Sequence, residues 1–428
     1  MCNCNCNSSN TTALKAGVVK DVTYVSVEAA AAAAANQAML AYCQNTFSVG
    51  GVMLDGTGKV LNAIHNNVVM NNKTNDPTAH GERQLIDWYY AQIAQGVELP
   101  PPSEITIVTS LDPCCMCTGS IITGGFNVIS AAFDTYSGIN YDTLADFPSL
   151  SDDLAVVAQE TFSYPAVNGD NCFSRPASSA PVAEFFTQDV IDVQTLALCE
   201  SIFDATLTQV KASINSDLPP DQLKDIKELP TDDPIVVALQ AIYPDALQYT
   251  APSRGAPDAG LAPFLIEAAN TDIALGGKGN SVAFLDYFGN LLLCLSGNEK
   301  ASLIQTAFLL VTRNYAQLRY NLRDSLGDEK VLPYLGHPKY GTFVFSHGPD
   351  ESSHSLIELG AYGSTMEGAL PEENPNSFQY GVPTIAQTEL DAYCQKLPPL
   401  YSSEIKVHPQ QVVDQGLIDA LEAGLPTV

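Results

Sequence analysis

Apolar and polar positions change period several times along the first 135 residues, and each change marks an element. Val25 to Tyr42 is rich in Ala and free of breakers, which reads as a helix. Val49–Leu54 and Lys59–His65 are short apolar runs flanking Asp55-Gly56-Thr57-Gly58, so they predict two strands joined by a hairpin-type turn. A polar, Asn-rich loop follows from Asn66 to Asn75. Thr78 is then the expected cap of a helix in which Leu85, Trp88, Tyr89 and Ile93 recur at helical spacing, and Pro100-Pro101-Pro102 ends that element. Ile105–Ser110 predicts a strand, the stretch after Pro113 a helix, and Val128–Phe133 another strand. This alternation predicts an α/β sandwich.

The order recurs further on. Leu54–Leu61 aligns with Leu285–Leu292 at an offset of 231, and Thr106–Pro113 with Thr342–Pro349 at an offset of 236. Nearly equal offsets imply an internal duplication; the plainer alternative is that both halves use common hairpin chemistry. A chain of 428 residues also exceeds what one hydrophobic core supports. Pro219-Pro220 and the acidic stretch to Pro234 make the best linker. The expected organisation is a first domain at residues 1–216 with its core at about 30–145, a linker at 217–234, and a second domain at 235–428.

Charge narrows the partners. Lys and Arg total 19 against 48 Asp and Glu, a net −29. A nucleic-acid binder needs cations to replace the counterions around phosphate, so no nucleic acid is expected and a small, neutral molecule is. No apolar run reaches the ~18 residues of a membrane span, so no membrane partner is expected. The Met1–Cys6 start lacks a basic region and an apolar core, and a cytoplasmic protein is expected. Eleven cysteines in that setting point to metal or chemistry rather than disulfides. Cys2, Cys4 and Cys6 could capture a soft metal, but read first as a functionally silent terminus.

His80-Gly81-Glu82 and Pro113-Cys114-Cys115-Met116-Cys117 together form the His-x-Glu…Pro-Cys-x-x-Cys signature of zinc deaminases. Cys114 and Cys117, three apart at a helix start, share a face, and a helix N-terminus favours the thiolate that zinc requires. With His80 they supply three ligands, and the open fourth position separates a catalytic from a structural zinc site. Zinc lowers the pKa of a bound water from about 15.7 to about 7. Glu82 is placed to move the water proton without ligating the metal. A redox Cys-x-x-Cys would leave His80-Gly81-Glu82 unexplained, and structural zinc would want a fourth ligand that Cys115 is badly placed to give.

Beyond the signature, Asp76-Pro77-Thr78-Ala79-His80-Gly81-Glu82 resembles the Asp-Pro-Thr-Ala-His-Ala-Glu run of guanine deaminases and bacterial tRNA adenosine deaminases. Pro113-Cys114-Cys115-Met116-Cys117-Thr118-Gly119 is similar to their Pro-Cys-Pro-Met-Cys-x-Gly. The resemblance covers roughly residues 30 to 145. It implies the cytidine-deaminase-like three-layer α/β/α sandwich, duplicated here in tandem, with a mixed five-stranded sheet between helices. It also implies zinc at His80, Cys114 and Cys117, Glu82 as proton shuttle, and substrate contacts at Ala79 and at Asn66, which matches the Asn of the family's His-Asn-x-Val. Gly81 stands for the usual Ala, which enlarges the room beside Glu82 slightly, and Cys115 for the usual Pro. The implied activity is hydrolytic deamination of a free nucleobase or nucleoside, guanine first, with cytosine or cytidine as the alternative and a tRNA adenosine further behind. Phe133, Tyr136 and Tyr141 could stack on a base, or be plain core.

The same signature fails in the second half. Lys300-Ala301-Ser302-Leu303-Ile304 best occupies the register of Thr78–Glu82, which places Ser302 for His and Ile304 for Glu. Asp350, Glu351, Ser352 and Ser353 follow Pro349 where Cys114–Cys117 follow Pro113. His347, Asp350 and His354 could build another metal site, or be polar loop residues. The region is expected to be a degenerate deaminase-like domain without zinc ligands. Deaminases of this type commonly pack as dimers, so either a homodimer or an intramolecular pseudo-dimer of the halves is expected.

Overall fold

The computed structural model describes residues 22–167, 190–214, 217–366, 368, 370–371 and 377–426. Cys2, Cys4 and Cys6 lie outside these. The first half runs α1 (Val27–Gln44), β1 (Gly50–Leu54), β2 (Val60–His65), α2 (Gly81–Ala94), β3 (Thr106–Thr109), α3 (Cys115–Gly124), β4 (Asn127–Ser130), α4 (Asp152–Thr161), β5 (Phe162–Ser163) and α5 (Val193–Ile214). Two-residue ladders, Val69–Met70 with Lys73–Thr74 and Ala166–Val167 with Val190–Ile191, decorate it. The second half runs α6 (Pro234–Ile242), α7 (Ala262–Ala274), β6 (Ser281–Leu285), β7 (Leu291–Ser296), α8 (Ala307–Leu326), α9 (Asp328–Val331), β8 (Thr342–His347), α10 (Ser353–Met366), β9 (Phe378–Val382), α11 (Gln387–Lys396), β10 (Gln410–Gln411) and α12 (Gln415–Gly424), with a π-turn at Leu400–Ile405.

Each half forms one five-stranded mixed sheet, β2-β1-β3-β4-β5 and β7-β6-β8-β9-β10. In both, the first three strands pair antiparallel and the last two add on in parallel. The likeness extends to irregularities. The hairpin register shifts between Met53 and Leu54, and again between Phe284 and Leu285. Asp55 Oδ1 accepts from the amides of Thr57 and Lys59 at 2.8 and 3.0 Å, and Asp286 Oδ1 from Phe288 and Asn290 at 2.8 Å each. Gly58 and Gly289 close the two turns at φ 81° and 85°, which a side chain would strain.

Alternation along each strand sorts side chains into layers. Val52 and Leu54 face α1 and α5, whereas Met53 joins the opposite core with α2 and α3. In β6, Ala283 and Leu285 face α7 and α12, while Val282 and Phe284 face α8 and α10. The inner layers of the two sandwiches share one core, because α3 and α10 lie against each other. A Cβ on Gly119 would come 2.6 Å from the Ser353 carbonyl oxygen, and one on Gly360 would overlap the Met116 amide nitrogen. Only glycine admits this approach. Among the described residues, no helix is long and apolar enough to cross a membrane.

Helix starts correct the register read for the second half. His80 caps α2 and Thr306 caps α8, so Thr306 and Phe308, not Ser302 and Ile304, stand opposite His80 and Glu82. The connection from β7 (residues 297–306) is shorter than that from β2 (residues 66–80), which moved the alignment. Likewise α10 begins at Ser353 as α3 begins at Cys115, so Ser352 and Ser355, not Asp350 and Ser353, replace Cys114 and Cys117.

A candidate metal centre and its cavity

The site begins with a turn that aims His80. Asp76 Oδ1 accepts from the Thr78 amide at 2.8 Å and from the Thr78 hydroxyl at 2.6 Å. Thr78 therefore shapes the loop and leaves the capping position to His80. Asp76 Oδ2 pairs with Arg83 at 3.1 Å, and Arg83 also holds Asp87 and the Thr78 carbonyl. Arg83 is 1% exposed; its charge is acceptable there because both flanking carboxylates face it. Arg313 reaches over from the second half to Asp87 at 3.2 Å and Asp76 at 3.6 Å. Gly81 does not enlarge the room beside Glu82. A Cβ there would face the Ile64 carbonyl at 3.1 Å, so its small size seats α2 against the β1–β2 backbone.

The ends of β3 and α2 then converge on the start of α3. His80, Cys114 and Cys117 bring one ligand atom each within 4.8 Å of one another, and among the described residues this is the one such group. His347, Asp350 and His354 are not gathered in that way. His80 Nδ1 lies 3.4 Å from Cys114 Sγ. A hydrogen bond from Cys117 pulls the Cys114 thiol well below its usual range, while burial and the neighbouring Cys114 push Cys117 well above it. Two buried sulfurs this close oppose each other's ionisation, and a bound cation would let both become thiolates. One imidazole and two thiolates with an open fourth position fit zinc.

Glu82 is buried beside this group. Its Oε1 accepts from Thr109 Oγ1 at 2.7 Å, and its Oε2 lies 3.5 Å from Cys117 Sγ. Burial raises its pKa, as suits a group that must both take and give a proton. A narrow cavity of about 40 Å³ opens next to His80, Glu82 and Cys114. Asn66 lines it, with Oδ1 accepting from Thr46 Oγ1 at 2.7 Å and the Val68 amide at 2.9 Å. Ala79 does not line it: its carbonyl accepts from the Asn67 amide at 2.8 Å and Gln84 Nε2 at 2.7 Å. Of the candidate aromatics only Tyr136 faces the cavity; Phe133 stacks on Tyr164, with centroids 4.8 Å apart, and Tyr141 reaches the Lys396 carbonyl.

Residues 25–132 match the family described as the cytidine and deoxycytidylate deaminase zinc-binding region. The first half carries a zinc-binding deaminase region. No curated protein matches the chain. Among solved structures, one from a study of tRNA:A34 deaminases that edit A to I at the wobble position is 23% identical, covering 26% of this chain and 80% of that one, with a TM-score of 0.21. A guanine deaminase from Nitrosomonas europaea is 15% identical, covering 44% of this chain and 88% of that one, with a TM-score of 0.25. With TM-scores this low, nothing about substrate is carried from either.

The rest of the deaminase pocket escaped the sequence reading. Asp112 and Asp134 line it, both carboxyls pushed up by burial. Phe203 and Leu207 come from α5, and Ser364, Leu400 and Tyr401 come from the second half. Against the lining residue Tyr136, Lys211 on α5 pairs with Glu404 of the π-turn at 2.5 Å, and Tyr136 Oη donates to Glu404 at 2.6 Å. Residues 134, 203 and 401 carry no shared local pattern that could have marked them.

Proposed function

We propose that the protein is a zinc-dependent hydrolytic deaminase of a free aminated nucleobase or nucleoside, a guanine-type purine being the first candidate. The observation that carries the choice of a small substrate is the cavity lining: among the described residues it includes the carboxyls of Glu82, Asp112 and Asp134 and no Lys or Arg. A polyanion would have no cation there to replace its counterions. The preference for guanine rests on the resemblance of Asp76–Glu82 to guanine deaminases. In this reading residues 1–216 are the catalytic domain, 217–234 the linker and 235–428 a degenerate partner, the halves forming a pseudo-dimer through α3 and α10.

His80, Cys114 and Cys117 would hold the zinc, which supplies Lewis-acid activation of water. Glu82 takes one proton from the attacking water and gives it to the ring nitrogen, then takes the second from the new hydroxyl and gives it to the departing amine. The products are the ring carbonyl and ammonia. Thr109 donates to Glu82 and fixes the carboxyl that moves the proton. Asn66, its Oδ1 engaged within the protein, has Nδ2 left to donate to the ring. Ammonia release from guanine, guanosine, adenine, cytosine and cytidine by zinc-loaded protein tests the reading. Release from at least one is expected. Zinc-loaded, folded protein that releases ammonia from none overturns it.

A further inference from the structure

Gly360 and Ser364 are one turn apart on the same face of α10. Gly360 seats α10 on the first turn of α3, at the Met116 amide. One turn on, Ser364 Oγ lies 3.4 Å from His80 Nε2. The other ring nitrogen, Nδ1, faces Cys114 Sγ. The imidazole is thus held between the two halves of the chain, with one nitrogen in the ligand group and the other against the second half. Ser364 is 1% exposed and lines the cavity.

We propose that Ser364, on the degenerate half, is a positioning residue for the metal centre: its hydroxyl oxygen accepts from His80 Nε2–H and holds the tautomer whose Nδ1 carries the lone pair that zinc would bind. The inference rests on the deaminase reading of the His80, Cys114 and Cys117 group. A neutral imidazole carries one ring proton, and the ligating nitrogen must be the other one. An acceptor at Nε2 selects that tautomer and turns the ring toward the two sulfurs. Outer partners of metal-ligating histidines are worth roughly 10–100-fold in affinity. At 3.4 Å the contact is at the long end of N–H···O bonding, so the lower end of that range applies. The second half, which among the described residues gathers no metal-binding group of its own, would then still set how tightly the first half keeps its metal.

The test is zinc transfer to a chelator from the zinc-loaded full chain, comparing wild type, Ser364→Ala and Ser364→Thr, with unfolding of the metal-free proteins as control. Ser364→Ala is expected to hold zinc about tenfold less tightly with an unchanged metal-free unfolding temperature, and Ser364→Thr, which keeps the hydroxyl, to recover most of the loss. In the cobalt-substituted protein the His80 Nε2–H resonance should exchange slowly with solvent in wild type and rapidly in Ser364→Ala. Equal zinc retention by wild type and Ser364→Ala overturns the proposal and leaves the metal centre standing. A metal-free stability loss that accounts for all of the weaker binding also overturns it. Wild type that holds no zinc overturns the site reading itself, and this proposal with it.

Discussion

Glu82 and Phe308 occupy the same place in two copies of one architecture, two residues past the cap of the inner helix, and they have opposite fates. Glu82 is a buried carboxyl beside a cavity, held by the Thr109 hydroxyl and the Cys117 sulfur and pushed toward its neutral form by burial. Phe308 is fully buried among rings, 4.9 Å from Phe343, 5.3 Å from Phe345 and 6.0 Å from Tyr362, centroid to centroid. The second half has filled with hydrocarbon the space that the first keeps for chemistry. Taking a carboxyl out of water costs stability that its hydrogen bonds only offset, whereas a ring in the same place contributes stability. The second half can therefore stabilise the first, to which it is joined through α3 and α10.

The largest effect expected from this contrast is on turnover. Glu82→Gln should retain zinc and lose roughly 10²–10⁴-fold in turnover, with unfolding temperature unchanged or higher; metal analysis beside ammonia release checks both. The counterpart, Phe308→Ala, should cost about 3–5 kcal/mol in denaturant unfolding. Zinc-loaded protein that remains folded should keep its chemistry. If Phe308→Ala proved harmless to stability while Glu82→Gln unfolded the chain, the division of labour would be reversed.

Glu358 on α10 sharpens the comparison with pH. Burial, with Glu299 and Asp350 adding to it, pushes this carboxyl from 4.5 to about 8, against hydrogen bonds from Thr306 and the Phe308 amide. The folded state therefore binds a proton that the unfolded state releases between those values. Stability from this group is full below pH 4.5 and declines as pH rises toward 8, by on the order of 5 kcal/mol. Glu358→Gln should flatten that decline in thermal unfolding measured across the interval. The smallest effect belongs to the bridge from Arg313 to Asp76 and Asp87. Its side chain is 30% exposed, so Arg313→Ala should cost about 1 kcal/mol or less, measured as a small fall in the denaturant midpoint.

The first half was legible where chemistry is local. His80 with Glu82, and Cys114 with Cys117, lie within one helical turn of each other, and strong periodicity framed them. The two hairpins were legible for the same reason, since Asp55 and Asp286 shape their turns from within. What could not be read depends on distance along the chain. Ser364 meets His80 across 284 residues, and Phe203 and Leu207 look like any apolar helix face. The second-half register slipped because loops change length freely while strands do not: the offset held through β6 and β7 and failed in the loop before α8. The role of Ala79, taken from the family run, had no support in the packing, where its carbonyl serves the loop itself.

Lys211, Tyr136 and Glu404 tie a helix of the first half, the loop after its fourth strand and the π-turn of the second half into one knot beside the cavity. A cavity of about 40 Å³ holds only a few water molecules, so a heterocycle would need its walls to give way, and Tyr136 is one of them. The ion pair is partly exposed and softens as salt screens it. Rising ionic strength should then loosen the tie between the two halves beside Tyr136, leaving the wall freer in brine than in dilute buffer.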